Sequence, residues 1–521
     1  MEAMLKEDQF LALCHACDRV LLHQDAGIEC QAIPWLHVIR EHPVFIANYR
    51  DLFGAATPAS LRASVWCKRH GVNRLLLARQ CFSALSCGSQ GWFSSVQPAV
   101  AVDVLFVSHL INAGHAGQLD DFYFFGVPQE LRQRGITSAI VLLNHTKHWG
   151  ASLATKWPPE EIPRAVIGRN VGMAEEFRLR ARMLGESRRL KRLAAAEPDG
   201  LYKNVLLRAS QEALSSSAWA TLRMAEQFAS LVRAYRPKVI VTSYEGHPWE
   251  RMAFAAARSV DAQITCVAYQ HAALFRLQHA ARRNLAKPYN PDYILTSGVV
   301  AKEQFEQAPL SADVGLAVLG SGRRPAQLPD GIEPAQGDAT ALSCLVLPEG
   351  DVTECNILFE FSIQCALAMP QVKFVWRLHP LLSHEQLAAK NPALNNLPDN
   401  IILSRATMEQ DLARCSTALY RGTTAIIQAI ASGLRPIYLA REGEMTIDPL
   451  YDCDDWRATV LSIEDFRCLV AGTESRWSPE SAQRARRHCE KFFTPFDINP
   501  LYDIIVKARA ASATGKESEP E

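Results

Sequence analysis

The segment that most constrains this chain is ALYRGTTAIIQAIASGLRPIYL, Ala418 to Leu439. An apolar run stops at Arg-Gly-Thr-Thr, a helix-period stretch runs to Gly433, and a second apolar run follows. Strand, tight loop, helix and strand in that order belong to a parallel α/β sheet, because parallel strands need a crossover. KFVWRLHP, Lys373 to Pro380, is a second apolar strand that stops at polar residues able to hold a phosphate.

The same alternation fills most of the chain. Strands are expected at 101–110, 136–143, 238–246, 263–271 and 293–298, with a long helical region from 174 to 235. A second series starts at 342 and continues through 373–380, 400–404, 417–424 and 435–440. At 521 residues one core is not enough. The expected organisation is a mainly helical N-terminal extension and linker (1–99), a first Rossmann-like domain (100–320, acceptor side) and a second (340–495, donor side). A return helix (496–508) and a disordered tail (509–521) follow. WLHVIREHPVFIANYRDLF, Trp35 to Phe53, reads as helix. The Ser/Gly-rich 83–98 and the Gly/Pro-rich 320–339 read as linkers. The expected fold class is thus α/β, with two Rossmann-like domains facing a cleft where a donor and an acceptor meet.

Formal net charge is zero, which argues against a nucleic-acid binder. The chain has no apolar run long enough for a spanning helix and no secretory-signal layout at its start, so a cytoplasmic location is expected. Fourteen cysteines lie scattered. Cys14 and Cys17, the one tempting pair, sit in a helical apolar pattern and read as core. The basic stretch Arg178 to Arg192 is either a solvated helix face or a contact to anionic headgroups at the inner membrane face.

The candidate site residues sit at strand ends. His379, before Pro380, can donate to a phosphate oxygen, with Arg377 two residues earlier. Arg421, Gly422, Thr423 and Thr424 open a helix, where a Thr caps and backbone N–H groups attract an anion. Glu349 and Gly350 form the first strand-to-helix loop of the second domain. In the first domain, Glu245 follows its strand within Tyr-Glu-Gly-His-Pro. It is the candidate base or nucleophile. Asp120 and Asp121 compete with it but also read as helix caps. Gln270 and His271 either line the cleft or serve structure. Asp452 to Asp455 carry no strand-end context, so no metal site is expected.

At Glu245-Gly246, His379-Pro380 and Thr423-Thr424 the chain resembles the GT-B glycosyltransferases that use CMP-activated sugars. Bacterial sialyltransferases and the Kdo transferases of capsule and O-antigen assembly are among them. LFVSHL, YEGHPWE and the span from PEGDVTE to RLHP resemble bacterial surface-carbohydrate biosynthesis proteins. The resemblance covers roughly residues 100 to 500 and leaves out the first hundred; Tyr244 stands where the pattern usually has a second acid. It implies metal-independent transfer of Kdo or a nonulosonic acid from a CMP-linked nucleotide sugar, a co-substrate, with no further cofactor. The acceptor would be a glycan or lipid-linked glycan. By the same likeness His379 and the Thr pair would hold the donor phosphate and Glu245 would act at the sugar carbon or acceptor hydroxyl. Arg377 and Arg421 would be free to pair with a sugar carboxylate. Inverting or retaining outcome stays open. A polyol-phosphate transferase of the teichoic-acid type and a catalytically inactive assembly partner are the alternatives.

Overall fold

The computed structural model describes residues 5–38, 40–53, 91–94, 101–146, 162–322, 342–379, 382–470 and 477–514, with single positions and pairs between them. Pro380 and most of both expected linkers lie outside the described residues.

The described strands form two sheets. The first contains β1 (Trp92–Ser94), β2 (Val104–Leu110), β3 (Ser138–Asn144), β4 (Arg164–Ile167), β5 (Val239–Ser243), β6 (Thr265–Gln270), β7 (Tyr293–Thr296) and β8 (Gly315–Val318). Their order is β1-β4-β3-β2-β5-β6-β7-β8. All neighbours are parallel except β1, which runs antiparallel to β4. The second sheet contains β9 (Ser343–Leu347), β10 (Lys373–Trp376), β11 (Ile401–Leu403), β12 (Thr417–Tyr420), β13 (Arg435–Leu439) and β14 (Ala458–Val460). It is fully parallel in the order β11-β10-β9-β12-β13-β14. β2 to β7 and β9 to β14 each repeat the doubly wound order 3-2-1-4-5-6, whose switch points fall between β2 and β5 and between β9 and β12. The chain therefore has the fold class read from its sequence: two Rossmann-like α/β domains, the GT-B arrangement.

The strands are apolar on both faces because helices cover both faces, the pattern a parallel sheet requires. Three short strands, β4, β8 and β14, are too brief to stand out in the sequence, and β1 lies within the stretch expected to be a linker. The helical region after β4 divides into Met173–Ala196, Leu201–Glu212 and Ser216–Tyr235. Within the basic stretch, Arg178 pairs with Glu175, Arg182 with Glu29 and Glu226, and Arg189 with Glu186. No described helix is long and apolar enough to cross a membrane.

The N-terminal extension packs on these helices through one apolar cluster that includes Phe10, Leu13, Cys14 and Cys17 from the helix Glu7–Leu21. The stretch 35–53, expected as helix, is not continuous. Pro43 forces His42 into an extended conformation (φ −63°, ψ 136°), and the described residues before it, 37–38 and 40–42, are not helical. A short helix, Pro43–Ile46, restarts beyond it.

The final helix, Asn499–Thr514, continues through residues 509–514 that composition had placed in a disordered tail. Leu501, Ile504 and Ile505 pack into the core of the first sheet, and Arg509 pairs with Asp103. Leu501 is fully buried, so Leu501→Ala is expected to destabilise the first domain by about 2–5 kcal/mol. Thermal unfolding checks this. An unchanged midpoint would mean the helix is not part of that core.

Candidate active site

One cleft of about 510 Å³ lies between the domains. Its walls come from both sheets at their carboxyl edges and from the N-terminal extension. From the first domain come Glu245, after β5, and Gln270, the last residue of β6. From the second come Glu349, Gly350 and Asp351 after β9, His379 after β10, and Gly422, Thr423 and Thr424 after β12. The extension adds Arg40, His42, Val44 and Phe45.

Glu245 sits on a turn built for it. Gly246 has φ +92°, and a Cβ there would overlap the backbone of Ala280 and Ala281. The turn's two N–H groups are held by Glu250, three residues into the helix cap of Pro248–Val260. Glu245 N–H donates to Glu250 Oε1 at 3.0 Å and Gly246 N–H to Oε2 at 2.8 Å. Glu250 is buried, and burial pushes its carboxyl up to about 7. The Glu245 side chain keeps 38% of its surface accessible from the cleft. His247 Nε2 lies 3.6 Å from its Oε2 and His271 Nε2 3.5 Å from its Oε1. Burial alone would raise the Glu245 carboxyl. The hydrogen bond from His247 and the charges of His271, His247 and Arg40 outweigh it and hold the group well below the usual carboxylate range. Burial acts against His247 too, but its bond to Glu245 and the nearby Glu250 raise it.

Behind this pair lies a histidine cluster that no sequence motif singles out. His109 Nδ1 is 2.7 Å from His145 Nε2, and His109 Nε2 is 3.1 Å from Ser243 Oγ. Burial first, then its histidine neighbours, push His109 down to about 3. It is a neutral ring that supports the β2–β5 switch point.

Across the cleft, His379 and Gly350 are in contact: a Cβ on Gly350 would stand 3.1 Å from His379 Cε1. Burial lowers the His379 imidazole while Glu349 raises it, the first effect being larger, so the ring is a neutral donor at pH 7. Gly422 has φ +67°, and a Cβ there would overlap the Glu349 carboxylate. Both oxygens of Glu349 lie 2.8 Å from His42 Nε2, a bond that reaches from the extension to the second domain. Thr423 Oγ1 accepts from Ala425 N–H at 3.3 Å, and Thr424, at the cap position, makes no side-chain cap bond. The cap expected of the Thr pair therefore comes from Thr423, and the helix that follows, Ala425–Ala431, is short.

Five predicted site residues, His271 among them, do not line the cleft. Arg421 is 1% exposed and is bound to Glu354 at 2.5 Å, to Glu444 and to the Leu439 carbonyl. It ties the loop to the sheet and is no spare cation. Arg377 is committed to Asp411 and, at 2.9 Å, to the Ala406 carbonyl. Asp121 is buried and accepts from Ser108 Oγ, Tyr123 N–H and Phe124 N–H, each at 2.8 Å. It caps a turn; Asp120, exposed beside it, also lies outside the cleft lining. Of the remaining pair, Gln270 lines the cleft and His271 acts on it through Glu245. Tyr244 packs inward, its hydroxyl donating to the Ala281 carbonyl at 3.0 Å. Away from the cleft, His488 Nε2 lies 3.4 Å from Cys453 Sγ, which is 3.3 Å from Asp452 Oδ1.

No family model and no curated protein sequence matches the chain. Among solved structures it is similar to UDP-GlcNAc 2-epimerase from Neisseria meningitidis, with 14% identity, 78% of this chain and 100% of that chain covered, and a TM-score of 0.43. It is also similar to the glycosyltransferase SnogD from Streptomyces nogalater (16%, 79% and 99%, TM-score 0.40). A third is MurG from Acinetobacter baumannii (14%, 78% and 99%, TM-score 0.42). At these scores the reading of the cleft rests on its own residues.

Two outcomes check this geometry. Gly422→Ala is expected to displace Glu349 and lower stability by about 1–3 kcal/mol through left-handed strain and overlap; a denaturation midpoint equal to wild type would refute the crowding. Glu250 holds a proton in the folded protein that the unfolded chain, at the ordinary value of 4.5, has released between about pH 4.5 and 7. Its contribution to stability therefore falls as pH rises through that window. Glu250→Gln should flatten that slope in pH-dependent unfolding, whereas an unchanged slope would place the titration elsewhere.

Proposed function

We propose that the cleft is the active site of a glycosyltransferase that moves a sugar from a CMP-activated donor to a glycan or lipid-linked glycan. The sugar would be Kdo or a nonulosonic acid. The observation that carries this reading is the meeting of two sets of strand ends in one cleft. A charged, accessible carboxylate, Glu245, stands on the first domain's edge. A set of hydrogen-bond donors, His379, Thr423 and Thr424 beside two glycines, stands on the second's.

In this reading His379 donates to the leaving phosphate and the Thr hydroxyls and loop backbone complete its cradle. Glu245, ionised far below neutral pH, is a weak base. A carboxylate of that kind serves better as a nucleophile or as a support for positive charge at the sugar carbon. As a nucleophile it forms a bond to the anomeric carbon while the bond to CMP breaks with its electron pair. An acceptor hydroxyl then displaces Glu245 and gives its proton to a neighbouring histidine, and configuration is retained. A second reading rests on the 3.5 and 3.6 Å contacts of Glu245 to His271 and His247. There, Glu245 orients a histidine base that deprotonates the acceptor directly, and configuration inverts.

Calorimetric titration with CMP, UDP, GDP and CDP is expected to show CMP bound at least tenfold more tightly than the others. A preference for another nucleotide would overturn the donor assignment. Glu245→Gln should retain CMP affinity while lowering turnover by about 10²–10⁴-fold. Turnover within a few-fold of wild type would remove Glu245 from the chemistry. Release of CMP with a free sugar transferred separates this reading from polyol-phosphate transfer.

A further inference from the structure

Residues 40–45 are the part of the extension that enters the cleft, and they bring a cation with them. Arg40 is the one arginine or lysine among the described lining residues. Three carboxylates share that lining, yet each has its own partner. Glu245 is held by His247 and His271, with the charge of Arg40 acting on it without a direct contact, and Glu349 by His42. Asp351 caps the helix Val352–Ala368 by accepting from Thr353 and Glu354 N–H at 2.8 and 3.1 Å. The neighbouring Glu41 turns inward and accepts from Leu277 N–H at 2.9 Å.

No ion pair or hydrogen bond holds the Arg40 guanidinium among the described residues, and its Nε is buried without a partner. The group is positioned by ring faces instead. It lies 4.2 Å from the Phe275 centroid and 5.6 Å from that of Phe45. Stacking of this kind orients a guanidinium without using up the N–H groups of its two terminal nitrogens.

We propose that Arg40 is the anion-binding residue of the cleft, taking an oxyanion of the substrate in a forked pair of hydrogen bonds. The oxyanion is the nucleotide phosphate or the carboxylate of a ulosonic sugar. This rests on the nucleotide-sugar reading of the cleft. It transfers to the extension the role that the sequence assigned to Arg377 and Arg421, and it makes residues 40–45 part of the binding site.

The test is calorimetric titration of inorganic pyrophosphate, CMP and free Kdo into the full-length wild type, Arg40→Ala and Arg40→Lys, each at two salt concentrations. Wild type is expected to bind at least one of these anions. Arg40→Ala should weaken it tenfold or more, with a shallower salt dependence, and Arg40→Lys should fall between. Weakening confined to pyrophosphate and CMP assigns the phosphate, and weakening confined to Kdo assigns the carboxylate. Binding of all three within twofold of wild type in Arg40→Ala overturns the proposal, as does a wild type that binds none of them at millimolar concentration. Loss of pyrophosphate binding in Arg40→Ala, without any nucleotide preference in wild type, sustains Arg40 and overturns the nucleotide-sugar reading alone. If Arg40→Ala fails to fold, Arg40→Lys decides: the lysine keeps the charge but not the fork, and unchanged affinity for every probe then overturns the proposal.

Discussion

The cleft exists because the chain crosses back from the second domain to the first. Residues 491–497 lie along the carboxyl edge of the first sheet. Thr494 N–H donates to the Ser297 carbonyl at 3.0 Å, Ser321 N–H to the Thr494 carbonyl at 2.8 Å, and Asp497 N–H to the Leu319 carbonyl at 2.8 Å. Two glycines permit this approach. A Cβ at Gly298 would overlap the backbone of Lys491 and Phe492, and one at Gly320 (φ +90°) that of Pro495. The return helix then buries Leu501, Ile504 and Ile505 in the first domain's core. This crossing sets how the two domains sit, and with it the opposition of Glu245 to His379.

The electrostatics of the cleft follow from that opposition. Carboxylates gather there, which alone would repel a nucleotide. Each is offset locally, by histidines at Glu245 and Glu349 and by backbone N–H groups at Asp351. The extension supplies two of the groups concerned. His42 binds Glu349 across the domain boundary, and Arg40 supplies the positive charge. The extension is therefore a wall of the cleft.

The alternation of apolar runs with helices made both sheets legible, because parallel strands buried on two faces leave long uninterrupted hydrophobic signals. Glu245, His379 and Thr423–Thr424 were legible because each stands at the end of such a run. What the sequence hid has physical reasons. β4, β8 and β14 are too short for periodicity to register. Arg377 and Arg421 looked free because their partners, Asp411, Glu354 and Glu444, are brought in only by tertiary packing. Glu250 holds the Glu245 turn through two backbone N–H bonds that no sequence pattern announces. Arg40 was hidden because its stretch has the apolar period of a helix. Pro43 was the available sign that the helix breaks there.

If one nucleotide sugar bridges the two strand edges, a crystal of the protein soaked with CMP will show it. The CMP phosphate is expected within hydrogen-bonding distance of His379 and the Thr423–Thr424 loop, with its sugar-bearing oxygen directed toward Glu245. Well-ordered CMP elsewhere on the molecule, with this cleft empty, would contradict it.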